Sequence, residues 1–350
     1  MNPYDFVRVD WQKPGARRPA TPQDRLSGIC GRLEGTITTL TPFFIPGKGR
    51  EEPRRFLRDG HNQCIIPGAS LKGLFRSLVE TVGGGAWWFF GRNGTWSDNV
   101  NYSANLPDQF QCPTDLHQLD AACRMFGFLD RRSLLAGSVG FEDAPCEAPT
   151  QHDPIYTCIL SSPKPRHRTW YLDNAQQRVR GRKFYFHSTR LQTARSWLPG
   201  PDVPAQQRQN AYIHPVGPGS VFTFRCHFTN VAPDDFALLL YAIVLEPGIR
   251  HKMGYAKPAG LGSIAVTTQW LETVDYLARY RAGGGGIRRY TGEALATFLQ
   301  TTLAPYTGDM TSPTLQDLRR IWQWPAVHGQ RYPSQDWFRT NQTAPISSTP

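Results

Sequence analysis

Cys64-Ile65-Ile66-Pro67-Gly68-Ala69-Ser70-Leu71-Lys72-Gly73-Leu74-Phe75-Arg76 is the stretch on which the reading of this chain turns. An apolar run stops at a Pro-Gly turn and a helix begins at once, expected over residues 69–82. Leu71, Leu74, Phe75, Leu78, Val79 and Val82 recur at helical spacing and form one stripe for a core. Lys72 and Arg76 stand four residues apart on another side. A helix start presents unpaired N–H groups and the positive end of its dipole, so this turn suits an anion such as a phosphate. An ordinary amphipathic helix with solvated cations would show the same pattern, so function has to be read from the rest of the chain.

The chain has 350 residues, with 39 Lys+Arg against 28 Asp+Glu and a formal net charge of +11. That length holds one large domain with insertions or two smaller ones. The excess of cations fits a polyanionic partner. With 32 Gly and 29 Pro, much of the chain is loop. No window reaches the roughly 18 consecutive apolar residues of a membrane span, and residues 1–20 carry no apolar signal core. A cytoplasmic protein with no membrane partner is therefore expected. Seven scattered cysteines fit reduced thiols better than a disulfide framework.

Residues 1–28 read as an irregular basic arm. A strand is expected over 31–41, then a charged loop over 42–63 carrying Arg50, Arg54, Arg55 and Arg58, then the helix, closed by Gly83-Gly84-Gly85. Trp87-Trp88-Phe89-Phe90 opens an irregular stretch. A short helix is expected over 119–126 and a second strand over 135–143. Residues 145–218 break the rhythm and read as an insertion, a thumb-like region for contacting RNA. Lys164, Arg166, His167, Arg168, Arg178, Arg180, Arg182, Lys183 and Arg190 interleave there with Trp170, Tyr171, Phe184, Tyr185 and Phe186, among few acids. A third strand over 219–229, a helix over 233–245, a glycine-rich loop over 254–262 and a fourth strand over 263–269 follow. Helices at 270–281, 292–303 and 314–323 come next, with a flexible joint at 283–286 and a flexible tail at 326–350.

Stripped of insertions, the order strand, helix, strand, strand, helix, strand is the split βαβ arrangement. The expected fold is α+β: a modified ferredoxin-like (RRM-like) core over residues 29–270 with a long basic insertion, and a helical C-terminal extension over 271–325. RNA-binding versions of this arrangement hold single strands on the sheet face or the flanking loops.

Five separated motifs then agree in order. Ile66-Pro67-Gly68-Ala69-Ser70-Leu71-Lys72-Gly73 resembles the Ile-Pro-Gly-Ser-Ser-Leu-Lys-Gly signature of the RAMP superfamily of CRISPR-associated proteins. Cys123-Arg124-Met125-Phe126-Gly127 resembles the Cys-Arg-Leu-Phe-Gly element of its type III members. Ala136-Gly137-Ser138-Val139-Gly140-Phe141-Glu142-Asp143-Ala144 is similar to the family's second strand. Gly181-Arg182-Lys183-Phe184-Tyr185-Phe186-His187 resembles a Gly-Arg-Lys-Phe-Tyr-Trp-His element of type III and type III-derived branches. The loop over 254–262 is similar to the glycine-rich loop before the last strand. The resemblance covers residues 30–270.

The resemblance implies a backbone subunit of a type III or type III-derived effector complex. Several copies would stack along a CRISPR guide RNA and hold its duplex with a complementary target RNA. Other effector subunits, among them a separate nuclease, are implied partners; a single-copy capping subunit is the other structural reading. Ser70, Lys72 and Arg76 would lie on the guide backbone. Arg54, Arg55, Arg166, Arg168, Arg180, Arg182, Lys183, Tyr185, His187 and Lys257 would serve the same strand by charge, stacking or loop contacts. Many type III backbone subunits cut target RNA with an Asp in the loop between the first strand and the Ile-Pro-Gly turn. Glu52 stands near that place here, and Asp59 lies nearer the turn. Glu is one methylene longer, and ~1 Å of misplacement can cost ~100-fold in rate, so the reading leans against catalysis by this chain. Cys64, Cys112, His117 and Cys123 form a candidate set for a structural zinc, as in some relatives, although no Cys-x-x-Cys pair supports it; buried free thiols are the alternative.

Overall fold

The computed structural model describes the chain apart from residues 1, 23, 50–51, 88–104, 131–132, 159, 161–167, 174, 176–177, 194–209, 282–284, 328–331, 334 and 346–350. The first half contains β1 Tyr4–Val7, β2 Ile29–Thr39, β3 Arg54–Arg55, β4 Cys64–Ile66, α1 Gly68–Val82, α2 Ala121–Phe126, β5 Phe128–Leu129, β6 Leu134–Leu135, β7 Val139–Phe141, β8 Ala144–Cys146, β9 Ile155–Tyr156 and α3 Arg168–Tyr171. The second contains β10 Arg182–Tyr185, β11 Tyr212–His214, β12 Val221–Val231, α4 Pro233–Val244, β13 His251–Lys252, β14 Ser263–Val274, α5 Tyr276–Arg281, β15 Ile287–Tyr290, α6 Gly292–Thr307, α7 Pro313–Ile321 and α8 Gln335–Thr340.

The protein is α+β. Its main sheet is antiparallel, in the order β13-β14-β2-β12-β7, with β15 added to β14. Counting only the strands around α1 and α4, the order is fourth, first, third, second, which is that of a split βαβ unit. Alternation sets the faces. On β12, Phe222, Phe224, Cys226 and Phe228 are buried, while Thr223, Arg225 and His227 point to solvent. On β2, Leu33 and Ile37 go inward while Arg32 and Glu34 go outward.

Helix α1 lays Leu71, Phe75, Leu78 and Val79 on the inner face. The Phe75 ring stacks on Phe141, 5.1 Å between centroids. Leu74 and Val82, expected in the same stripe, are only half-buried. Helix α4 is buried on more than one side (Phe236, Leu239, Leu240 and Ile243, and also Leu238, Tyr241 and Ala242), and α6 packs on it with Tyr241 against Tyr306 at 4.9 Å.

Two connections lock α1 and α2. The Gly68 N–H donates to Asp143 Oδ1 at 2.7 Å, so the loop after β7 caps the first turn of α1. Gly68 also approaches the Phe141 backbone so closely that any Cβ would collide with the Phe141 carbonyl. From α2, Arg124 donates through Nε and Nη2 to the Asp235 carboxylate at 2.8 and 2.7 Å, a buried bidentate pair at the start of α4.

Several expectations are corrected. The N-terminal arm is not irregular throughout: β1 pairs antiparallel with β10, Tyr4 opposite Tyr185, because Tyr4, Phe6 and Val7 are buried there. The strand expected over 135–143 breaks into β6 and β7 with Gly137 between them, packed on the Phe126 backbone. The helix expected from 270 starts only at Tyr276, because Leu271 to Val274 stay extended between Leu33 to Cys30 and β15. The expected tail includes α8, and Tyr332 packs on Tyr4. Trp88, Phe89 and Phe90 lie outside the described residues.

Gly68→Ala should destabilise the fold by about 1–3 kcal/mol through overpacking against Phe141, and Asp143→Ala by about 1 kcal/mol through loss of the cap. Arg124→Met should cost roughly 3–5 kcal/mol by stranding the Asp235 carboxylate. Urea unfolding of the three variants measures this order.

Candidate nucleic-acid interface

The outer face of the main sheet is not a free basic surface. Arg32 and Arg289 bind Glu272 at 2.6 and 3.1 Å, Arg225 binds Glu34 at 2.8 Å, and His227 contacts Glu142. Trp270 donates to Glu34 and stacks between the guanidiniums of Arg32 and Arg289, 5.4 and 4.5 Å from its ring. Three arginines thus meet three glutamates, which leaves this face near neutral.

The unbalanced charge is elsewhere. Beside α1 lies a cavity of about 530 Å³ lined by Ser70, Gly73, Leu74 and Ser77 of α1, by Lys183 and Tyr185 of β10, and by Lys252 to Lys257 from β13 and the glycine-rich loop. Three lysines meet there. Lys252 is only 4% exposed and donates to Ser263 Oγ at 3.3 Å. Lys257 donates to the Gly254 carbonyl at 2.9 Å. Lys183 lies 3.6 Å from the Tyr4 ring centroid and 5.0 Å from that of Tyr185.

Burial holds all three below the usual lysine range: Lys252 to about 7 and Lys183 to about 8, each further lowered by the charge of Lys257. No carboxylate among the described residues offsets them. Buried cations without counter-ions are costly alone and favourable once an anion enters.

The glycine-rich loop can reach this place because Gly254 and Gly262 take positive φ (87° and 83°), closed to most other residues. Its backbone then joins the main sheet through Met253 N–H to the Gly262 carbonyl at 2.9 Å.

Three of the sequence motifs therefore line one cavity: the start of α1, β10 and the glycine-rich loop. Ser70, Lys183, Tyr185 and Lys257 are brought together. Lys72 is half-buried on α1, its ammonium disfavoured by burial and then by Arg76. The Arg76 guanidinium is held by Glu80 at 2.8 Å and by the Gly127 carbonyl at 3.2 Å, so it ties α1 to the end of α2. Arg182 is half-buried over Trp87, contacts Glu80 at 3.4 Å and donates to the Gly85 and Ala86 carbonyls.

His187 lies deeper. It is 2% exposed, Nδ1 meets Ser263 Oγ at 2.8 Å and Nε2 meets the Arg250 carbonyl at 2.9 Å. Burial pushes it down to about 3, so it is a neutral packing residue beneath the lysines, closed to a strand. Arg180 donates to the Thr169 carbonyl at 3.2 Å, and Arg168 is exposed on α3. Arg54 and Arg55 are exposed on β3, away from the lysine lining. Arg166 lies outside the described residues.

Lys252 was missed by sequence reasoning. Its signal was the run Arg250-His251-Lys252 immediately before the glycine-rich loop.

Of the two carboxylates considered for catalysis, Asp59 accepts the His61 and Gln63 N–H groups at 2.9 and 2.8 Å and shapes its own turn. Glu52 is exposed on a second cavity. The four candidate zinc ligands are not gathered. Cys64 faces Cys146 across β4 and β8, Cys123 donates to Asp120 at 3.2 Å, Cys112 contacts the Trp87 carbonyl at 3.4 Å, and His117 is exposed. Among the described residues, no three His, Cys, Asp or Glu side chains cluster as a metal site. No described helix is long and apolar enough to cross a membrane.

A split βαβ core, with a lysine cavity beside its first helix that no acid among the described residues lines, defines the class: an α+β protein. Residues 36–200 match the family model of the RAMP superfamily, a span that takes in the end of β2 and the whole of α1, α2, β7 and β10. Over those residues the chain is similar to that superfamily. No curated protein matches the chain.

The lowered lysines give a pH signature. Their folded pKa lies below the unfolded value, so their penalty is full below the folded pKa and fades as pH rises towards the unfolded one. Relative to Lys252→Met, the wild-type chain should therefore gain stability between pH 7 and 9, by at most about 1.4 kcal/mol per pH unit. Paired urea titrations across that range measure it.

Proposed function

We propose that this chain is a guide-RNA-binding backbone subunit of a type III or type III-derived CRISPR effector. The guide backbone would run along the first turns of α1 and across the cavity of Lys183, Lys252 and Lys257. The observation that carries this reading is that cavity: buried Lys252 with half-buried Lys183 and Lys257, no acid among the described lining residues, and a lining drawn from three separate motifs. Phosphate oxygens would supply the missing negative charge, and the hydroxyls of Ser70 and Ser77 could donate to them. Copies of the chain would stack along the guide, and base pairing would read the target, so affinity would not depend on spacer sequence. No cleavage is assigned to this chain: Asp59 accepts the His61 and Gln63 N–H groups of its own turn, and Glu52 is one methylene longer than the Asp that the resemblance implies there. Cutting of target RNA would fall to a separate nuclease subunit.

Filter binding of single-stranded RNA to the full chain tests the assignment. Lys252→Gln and Lys257→Gln should each weaken binding about tenfold for every sequence tried. Each should also lower the slope of log affinity against log salt by about 0.7, the share of one phosphate contact. Phosphate stabilises the ammonium form, so wild-type affinity should fall as pH rises through about 7 to 8, where Lys252 and Lys183 lose their protons. Unchanged affinity in both variants would overturn the assignment. Native mass spectrometry of the RNA-bound assembly would distinguish a repeated subunit from a single-copy cap.

A further inference from the structure

A second surface has the parts of a nucleotide site. Strands β3, β11 and β9 form a small sheet of their own. β11 sits in the middle, with His214 beside Arg55 of β3 and Tyr212 beside Tyr156 of β9. Ile213 is fully buried, so its neighbours Tyr212 and His214 face outward, half-exposed. The rings of Tyr156 and Tyr212 are stacked, 4.1 Å between centroids and 15° from parallel. Alongside is a cavity of about 400 Å³ lined by Glu52, Arg55, Arg58, Asn62 and His214, within the size range of small-ligand sites, ~300–1,000 Å³.

We propose that this face binds one unpaired nucleotide of an RNA strand, its base stacked on the Tyr156–Tyr212 pair and its phosphate beside Arg55 and Arg58. The proposal rests on the RNA-binding reading above. Among the described residues lining the cavity, the guanidiniums of Arg55 and Arg58 and the carboxylate of Glu52 carry a net charge of the sign a phosphate requires. A flat tyrosine pair offers a π-face to any base. Glu52, Asn62 and His214 supply acceptors and donors for a base edge. The two cavities share a wall: Leu57 N–H donates to the Ile45 carbonyl at 2.9 Å and Gly47 N–H to the Arg55 carbonyl at 3.1 Å. Ile45 and Pro46 line the lysine cavity, whereas Arg55 and Phe56 line this one. One strand can thus serve both.

The test uses the full chain and single-stranded RNA carrying 2-aminopurine at successive positions. Stacking on tyrosine should change the fluorescence at one position. Tyr156→Ala with Tyr212→Ala should abolish that change and weaken binding roughly fivefold or more, while the Tyr→Phe pair keeps both. Cross-linking of wild-type protein to 4-thiouridine RNA, which needs no variant, should mark peptides containing Tyr156 or Tyr212. Cross-links confined to other peptides, or an unchanged signal in the alanine variant while Lys252→Gln still weakens binding, would overturn this site and leave the lysine cavity standing. Wild-type protein that binds no RNA would overturn both.

Discussion

The position of the first helix rests on a contact between residues far apart in sequence. Asp143, just beyond β7, accepts the Gly68 N–H, and Gly68 has no room for a side chain against Phe141. A bare first turn leaves several N–H groups unpaired, so an outside carboxylate fixes where the helix begins and how it is rotated. Everything that matters for an anion follows from that rotation. Phe75 goes under the sheet, and Ser70, Gly73, Leu74 and Ser77 turn towards β10 and the glycine-rich loop. Arg124 and Asp235 do the corresponding work between α2 and α4.

The two locks explain why the protein can hold uncompensated lysines. Bringing Lys183, Lys252 and Lys257 into a poorly hydrated space works against folding, since burial and mutual repulsion both disfavour their charged forms. A loosely packed chain would relax by turning the side chains out to water. Here the stems are held: Lys252 lies on β13, Lys183 on β10 under Tyr4, and Lys257 beside a loop pinned by Gly254 and Gly262. The outer sheet face follows the opposite plan, each arginine matched to a glutamate.

The core strands and both core helices were legible because their alternation and helical stripes are strong local signals. Boundaries moved where partners decided them: β14 runs on to Val274 because β2 and β15 flank it. The candidate site was legible in part. Ser70, Lys183, Tyr185 and Lys257 sat in recognisable motifs, but composition does not say which cations are already engaged. Arg76 and Arg182 share Glu80, and His187 fills a gap below Ser263; none of these partners lies next to its cation or imidazole in sequence except Glu80 to Arg76. Lys252 was hidden for the reverse reason. A lysine in a short strand reads as solvated unless tertiary structure buries it.

The pairing of β1 with β10 also bears on how the protein is made. Tyr4 finds its partner Tyr185 only after the intervening chain has been synthesised, and the roof it places over Lys183 cannot form sooner. Contacts that distant in sequence assemble slowly. The anion pocket is therefore incomplete until the chain has been made through the glycine-rich loop and the N-terminal strand has docked on β10.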